Sequence, residues 1–326
     1  DRDAPENLLR AYYRSLAAEC RRLPLGVIDK EFVRTSGEQI IPLPDIYIDL
    51  DVIEPLHAND DESGEREWAA QLSRGEGRER SPLLEILANA ENAWTVLLGD
   101  PGSGKTTFIN YLTYLIATQP TALPAPLRNL LPVRLILREA AARHIASNAA
   151  RGTAQMLWAA LQDDIAVRLG DAAAQRLLPH LQERLLNEGS LVLLDGLDEV
   201  PEAQQRRQTL LEAVQELAGT LPRDKSRIVV TARPYAYADP RWHLNGFSIL
   251  ALAPFSEEQV DRFIMRWYQT VRGSMGWNQD TARDKGKRLY RVLKERPYLA
   301  DLASRPLLLT LMATLHSVRA ILKDAR

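Results

Sequence analysis

The sequence predicts an α/β fold, a doubly wound parallel sheet followed by a small all-helical domain. Three observations carry that expectation. From about Glu91 to Leu252, short apolar runs that suit buried parallel strands alternate with segments of helical spacing. Glycine-rich or acidic turns close several of those runs, at the strand ends where open α/β sheets hold ligands. Beyond Pro254 the pattern is wholly helical.

Taken in order, Glu6 to Leu23 has helical spacing in Leu8, Leu9, Tyr12, Tyr13 and Leu16, with Pro24 as its stop, and reads as a linker helix. Asp60 to Arg80 mixes Gly, Ser and alternating charges with few apolar anchors, and reads as a mobile loop in which Trp68 can dock locally. A strand at Trp94 to Leu98 leads into a glycine loop and a helix. An apolar strand follows at Pro132 to Leu137, then helical spacing from about Thr153 to Asn187. Next come a strand ending at Asp195, a helix from Pro201 to about Ala218, a strand at Arg227 to Ala232 and a last strand near Phe247 to Leu252. The expected division is 1–90 for the linker helix and lead-in segment, 91–253 for the α/β sheet domain and 254–326 for the helical domain.

The loop after the first of these strands, Gly99-Asp100-Pro101-Gly102-Ser103-Gly104-Lys105-Thr106, fits G-x-x-x-x-G-K-[ST] at every defined position, with Thr107 next. Its strand, loop and helix context makes it a P-loop, so the fold class narrows to a P-loop NTPase. Glycines let backbone N–H groups converge on a triphosphate at a helix N-terminus. Lys105 can then reach the outer phosphates, and Thr106 can hold Mg²⁺.

Gly189-Ser-Leu-Val-Leu-Leu-Asp195 is an apolar run ending in an acid, the pattern of a buried strand that delivers a carboxylate to its C-terminal edge. Asp195 is therefore the second candidate for Mg²⁺. One turn beyond it lie Asp198 and Glu199, either of which could orient or deprotonate an attacking water. The same pair could instead favour the start of the helix after Pro201. Arg233 follows the strand Arg227 to Ala232. It can match a terminal phosphate with its fork of donors, or sit as a solvated surface charge.

These motifs, with Thr231-Ala-Arg-Pro234, Leu252-Ala-Pro-Phe-Ser-Glu-Glu-Gln259 and Arg305-Pro-Leu-Leu-Leu-Thr-Leu311, resemble in order and style the NACHT family of signalling NTPases. The small Gly196 after Asp195, followed by the acidic pair, is similar to NACHT and unlike the adjacent Asp-Glu of most AAA+ motors. The resemblance spans roughly residues 40 to 317 and is weakest before Glu91. It implies that Pro306 opens a helix packed on the adenine, that Phe263 lines the same pocket, and that Tyr47 and Ile48 flank the base. Core packing is the alternative for each. The resemblance also implies ATP or ADP as ligand with Mg²⁺, slow regulatory hydrolysis, self-association in a full-length protein, an unknown activating ligand and a role in bacterial defence. NACHT proteins resemble three-part switches of effector, NTPase and sensor joined through a winged helix, and the winged helix has no matching segment here. The chain opens at Asp1 without methionine and stops shortly after an apolar helix, which reads as a piece of a longer polypeptide.

Composition agrees. At 326 residues, with 45% hydrophobic and 26% charged residues, the chain suits a globular protein larger than one comfortable core. A net charge of −2 gives no global field for nucleic acid or membrane. The run Arg283, Lys285, Lys287, Arg288, Arg291, Lys294 and Arg296 reads as a solvated helix face or a local basic patch. The one cysteine, Cys20, leaves no intrachain disulfide framework and fits a cytoplasmic location. His57, His144, His180, His243 and His316 lack metal-ligand spacing. No apolar run approaches membrane-span length. Two other classes stay open, a AAA+ remodelling motor, which would need an arginine finger, and a P-loop kinase of a small acceptor, which would need a lid.

Overall fold

A computed structural model describes residues 4–23, 41–54, 70–71, 79–146, 149–201 and 205–324. Pro24, His57, Trp68 and most of the loop expected at Asp60 to Arg80 lie outside them. Helix α1 (Pro5–Cys20) opens the chain. A single turn, Leu43–Ile46, precedes the short strands β1 (Asp51–Ile53) and β2 (Ser81–Pro82). Then come β3 (Trp94–Leu98), α2 (Lys105–Thr118), β4 (Leu131–Ile136), α3 (Leu137–His144), α4 (Ala154–Leu169), α5 (Asp171–Asn187) and β5 (Ser190–Asp195). Helix α6 (Arg206–Thr220), β6 (Arg227–Ala232) and β7 (Ser248–Leu252) complete the sheet region. Four helices follow: α7 (Glu257–Val271), α8 (Gln279–Lys294), α9 (Pro297–Ala303) and α10 (Pro306–Asp324).

The strands form one seven-stranded sheet in the order β2-β1-β7-β3-β6-β5-β4. From β7 to β4 all neighbours are parallel, whereas β1 pairs antiparallel with both β2 and β7. The chain leaves β3 for the far edge at β4, returns through β5 and β6, and crosses β3 to lay down β7. The C-terminal ends of β3, β5 and β6 therefore share one edge, which is what brings the motifs together.

Alternation along each strand sends side chains into two cores. Val96, Leu98, Val192, Leu194, Ile228 and Val230 enter one cluster, while Leu97, Leu191, Leu193, Val229 and Leu250 enter the other. With both faces covered, these strands read as unbroken apolar runs, which is why they were visible in the sequence. The antiparallel strands β1 and β2 leave no signal in the sequence, because three and two residues are too short to show a period.

Four local findings refine the sequence reading. Helix α1, read as a linker, is docked: Leu8, Leu9, Tyr12, Leu16 and Cys20 are buried in the first cluster, and Tyr12 Oη donates to Asp164 at 2.7 Å. The helical stretch after Thr153 is two helices, broken at Gly170 with φ of 90°. The helix expected from Pro201 begins only at Arg206, after Gln205 with φ of 59°. In the basic run on α8, Lys285 is buried, with Nζ 4.9 Å from the centre of the Trp277 ring.

In the helical region, Ser256 and Gln259 form a capping box that starts α7. Trp267 of α7 donates its indole N–H to Ser317 of α10 at 3.2 Å. Phe255 N–H donates to the Ser304 carbonyl at 2.8 Å, tying the end of the sheet region to the start of α10.

Candidate nucleotide site

The loop between β3 and α2 turns through Gly102 and Gly104, whose φ values are 79° and 101°. At Gly102 a side chain is excluded twice: by the left-handed backbone, and by Leu307, whose Cβ would lie 2.9 Å from an added Cβ. Leu307 N–H donates to the Gly102 carbonyl at 3.1 Å, so the first turn of α10 rests on the loop. No side chain caps α2. Its first N–H groups are thus available to an anion, and the helix dipole favours negative charge there.

Lys105 Nζ donates to the carbonyls of Gly99 and, at 3.2 Å, Asp100. Burial lowers its pKa from the ordinary lysine value, while the charges of Asp198 and Asp195 act in the opposite sense.

Asp195 is buried at the end of β5. One of its oxygens accepts from Thr231 Oγ1 at 2.6 Å, and the same hydroxyl oxygen accepts from Gly196 N–H at 2.8 Å. Thr231, from the neighbouring strand β6, thereby fixes the carboxylate and leaves its second oxygen for a further partner. Gly196 has φ of 83° and starts a tight turn, Leu197–Glu199.

That turn holds both acids apart from α6, which starts at Arg206, so they are not that helix's first turn. Asp198 Oδ2 receives Arg233 Nε at 2.9 Å, and Glu199 Oε2 receives Arg138 Nη1 at 3.1 Å. Each acid of β5's turn is matched by an arginine just beyond a neighbouring strand, Arg233 after β6 and Arg138 after β4. Buried Arg207 donates to the Val200 carbonyl at 2.8 and 3.0 Å and to the Asp198 carbonyl at 3.2 Å, while packing over Trp242. The acidic turn is thus clamped through its backbone.

Of the residues singled out in the sequence, Pro101, Gly102, Gly104, Lys105, Thr106, Thr107, Asp195, Asp198, Glu199, Arg233, Tyr47, Ile48, Phe263 and Pro306 all line one cavity of about 320 Å³. Gly99, Asp100 and Ser103 line a separate cavity of about 410 Å³, together with Pro234, Leu252 and Ser304. Tyr47 and Phe263 are also core residues: the Tyr47 ring stacks on Tyr111 at 3.6 Å, and Phe263 lies 6.1 Å from Trp267. Packing and cavity lining are not exclusive here.

Thr231, Arg138, Arg207 and Leu307 were not singled out for the site. Arg138 could have been found by the logic that found Arg233, since both arginines follow the end of a sheet strand.

A nucleoside phosphate fits this arrangement on three grounds: a helix start with no side-chain cap, two glycines in left-handed conformation, and a lysine at that helix start lining the same cavity as the strand-end acid Asp195. Fold and loop together define a P-loop NTPase. The family model for the NACHT domain matches residues 93–270, more than half of the sequence, and the chain belongs to the NACHT family. Among 60 solved chains that match by structure is one described as "Structure of Drosophila ORC bound to DNA", with 17% identity and a TM-score of 0.42. That match covers 74% of this chain and 65% of the other, so the chain spans slightly less than two thirds of that relative's length. No curated protein matches the sequence. Among the described residues, no helix is long and apolar enough to cross a membrane.

Proposed function

We propose that the chain binds ATP and Mg²⁺ in the 320 Å³ cavity and hydrolyses ATP slowly, as the nucleotide-sensing part of a switch. The observation that carries this reading is the convergence of Lys105, Asp195, the acidic pair and Arg233 with the apolar residues Tyr47, Ile48, Phe263 and Pro306 on one cavity. Half of that lining suits phosphate and half suits a base.

In this reading the N–H groups at the start of α2 and the Lys105 ammonium hold the β- and γ-phosphates. Thr106 and the free oxygen of Asp195 hold Mg²⁺, which supplies neutralisation of charge on the phosphate oxygens. Glu199 orients or deprotonates the attacking water. Its carboxylate is partly exposed and tied by one exposed ion pair, whereas Asp198 is buried against Arg233. Exposed pairs are worth about 0–1 kcal/mol, so Glu199 is the acid that can move at low cost.

Arg233 reports the γ-phosphate. To reach it, Arg233 must leave Asp198, and this gives ATP and ADP different affinities for two arrangements of the site, the requirement for any ligand-driven switch. Helix α10 is placed to respond, because its first turn is bonded to Gly102 of the phosphate loop. Membership of the NACHT family supports nucleotide-dependent self-association in a longer polypeptide, in signalling and bacterial antiphage defence, with an activating ligand of unknown chemistry.

The test is phosphate release from ATP with and without Mg²⁺, followed by light scattering with ADP and with a non-hydrolysable ATP analogue. Slow, Mg²⁺-dependent release and, in the longer polypeptide, a larger mass with the analogue support the reading. A phosphorylated small product would favour a kinase, and fast substrate-stimulated turnover a remodelling motor.

A further inference from the structure

In the proposed function Glu199 acts on the attacking water through an exposed side chain, while its main chain is tightly held. Glu199 N–H donates to the Gly196 carbonyl at 3.1 Å and Val200 N–H to the Leu197 carbonyl at 3.3 Å, which closes the turn. The carbonyls on either side of Glu199, those of Asp198 and Val200, both accept from one side chain, that of Arg207. Its Nη2 reaches Asp198 at 3.2 Å and Val200 at 2.8 Å, and its Nε reaches Val200 at 3.0 Å.

Arg207 is 7% exposed, a rare setting for an arginine. Its planar fork of donors lets one group span two carbonyls, which the point charge of a lysine ammonium does less well. The guanidinium is seated in turn on Trp242, whose ring centre lies 5.0 Å from Cζ.

Trp242 belongs to the segment that Arg233 opens. Tyr237 N–H donates to the Arg233 carbonyl at 3.1 Å, His243 Nε2 donates to the Tyr237 carbonyl at 2.9 Å, and Leu244 N–H donates to Tyr237 Oη at 2.9 Å. Arg207 therefore spans the two segments whose side chains meet in the Asp198–Arg233 pair, hydrogen-bonded to one and packed on the other.

We propose that Arg207 is a positioning residue for ATP hydrolysis: seated on Trp242, it fixes the main chain of Glu199, so that the carboxylate moves from Arg138 to the water about a fixed root. This inference rests on the proposed function. Arg207 does not line the nucleotide cavity, so it acts through Glu199 and not on the nucleotide.

The test compares wild type, Arg207→Ala, Glu199→Gln and the double variant by single-turnover hydrolysis of γ-labelled ATP and by affinity for a non-hydrolysable analogue with Mg²⁺. Arg207→Ala should slow hydrolysis by about 10- to 100-fold, the cost of a misplacement of about 1 Å, with analogue affinity little changed. It should add little to Glu199→Gln, because a root matters only while the carboxylate it carries is at work. A buried arginine serving stability alone would leave the two losses independent. Arg207→Lys should fall between wild type and Arg207→Ala, and Trp242→Leu should slow hydrolysis in the same direction. Should Arg207→Ala fail to fold, Arg207→Lys and Trp242→Leu carry the same cycle. The proposal is overturned if the folded variants hydrolyse at the wild-type rate, if analogue affinity falls in step with rate, or if the Arg207 and Glu199 losses multiply. Absence of hydrolysis in wild type would instead contradict the proposed function itself.

Discussion

Arg233 and Asp198 are held together at 2.9 Å, the arginine half exposed and the acid 7% exposed. An arginine suited to a terminal phosphate is thus paired with an acid of the same site. In the proposed reading, ATP would compete with Asp198 for Arg233, whereas ADP, lacking the γ-phosphate, would not. Arg233→Ala should therefore weaken binding of an ATP analogue more than binding of ADP, by up to about a hundredfold for a lost charge-assisted contact. Asp198→Asn should act oppositely and favour the analogue. Calorimetry with both nucleotides decides, and equal loss for the two in Arg233→Ala would remove its sensor role.

Thr231 bonds both Asp195 and the Gly196 N–H, so Thr231→Val should leave the sheet intact while freeing the carboxylate it orients. The expected result is Mg²⁺-dependent ATP affinity lowered by about 10- to 100-fold, as for other residues that orient a metal ligand, with Mg²⁺-free binding little changed. Unchanged Mg²⁺ dependence would mean that Asp195 needs no orienting partner.

For hydrolysis, Glu199→Gln should preserve ATP binding and slow phosphate release by about 10²- to 10⁴-fold, the usual contribution of a general base. Arg138→Ala, which frees Glu199 from its 3.1 Å pair, should change the rate without changing affinity. If Glu199→Gln turns over at the wild-type rate and Asp198→Asn does not, the roles of the two acids are exchanged.

Cys20 is buried and its thiol is pushed up to about 11, mainly by loss of solvation. A folded-state value above the ordinary one means that little thiolate exists at neutral pH. Alkylation at pH 7.5 should be much slower than for a free thiol and should accelerate on denaturation. Rapid labelling of the native chain would show that α1 does not stay docked.

Most of the sheet was legible because strands buried on both faces leave uninterrupted apolar runs, as in Leu191 to Leu194 and Ile228 to Val230. The phosphate loop was legible because its chemistry fixes residue types at fixed spacing. Less was readable where partners come from distant sequence. Nothing local to Thr231 announces that it bonds Asp195 across a strand pair, and although Arg138 follows a strand end, its partner Glu199 lies 61 residues away. Arg207, in the first turn of α6, is directed back at the Asp198 and Val200 carbonyls, nine and seven residues earlier, a contact that helical spacing does not encode. The docking of α1 brings Glu19 to Arg134 and Arg168, over a hundred residues away.

The central claim, that the cavity at Lys105 is an ATP site, is tested most directly by titrating MgATP into wild type and Lys105→Ala by calorimetry. Lys105 otherwise bonds only loop carbonyls among its described contacts, so the variant should keep its fold, checked by an unchanged far-UV circular dichroism spectrum. Wild type should bind one ATP per chain and the folded variant none measurable. Equal affinity in the two, or no binding by wild type, would contradict the account.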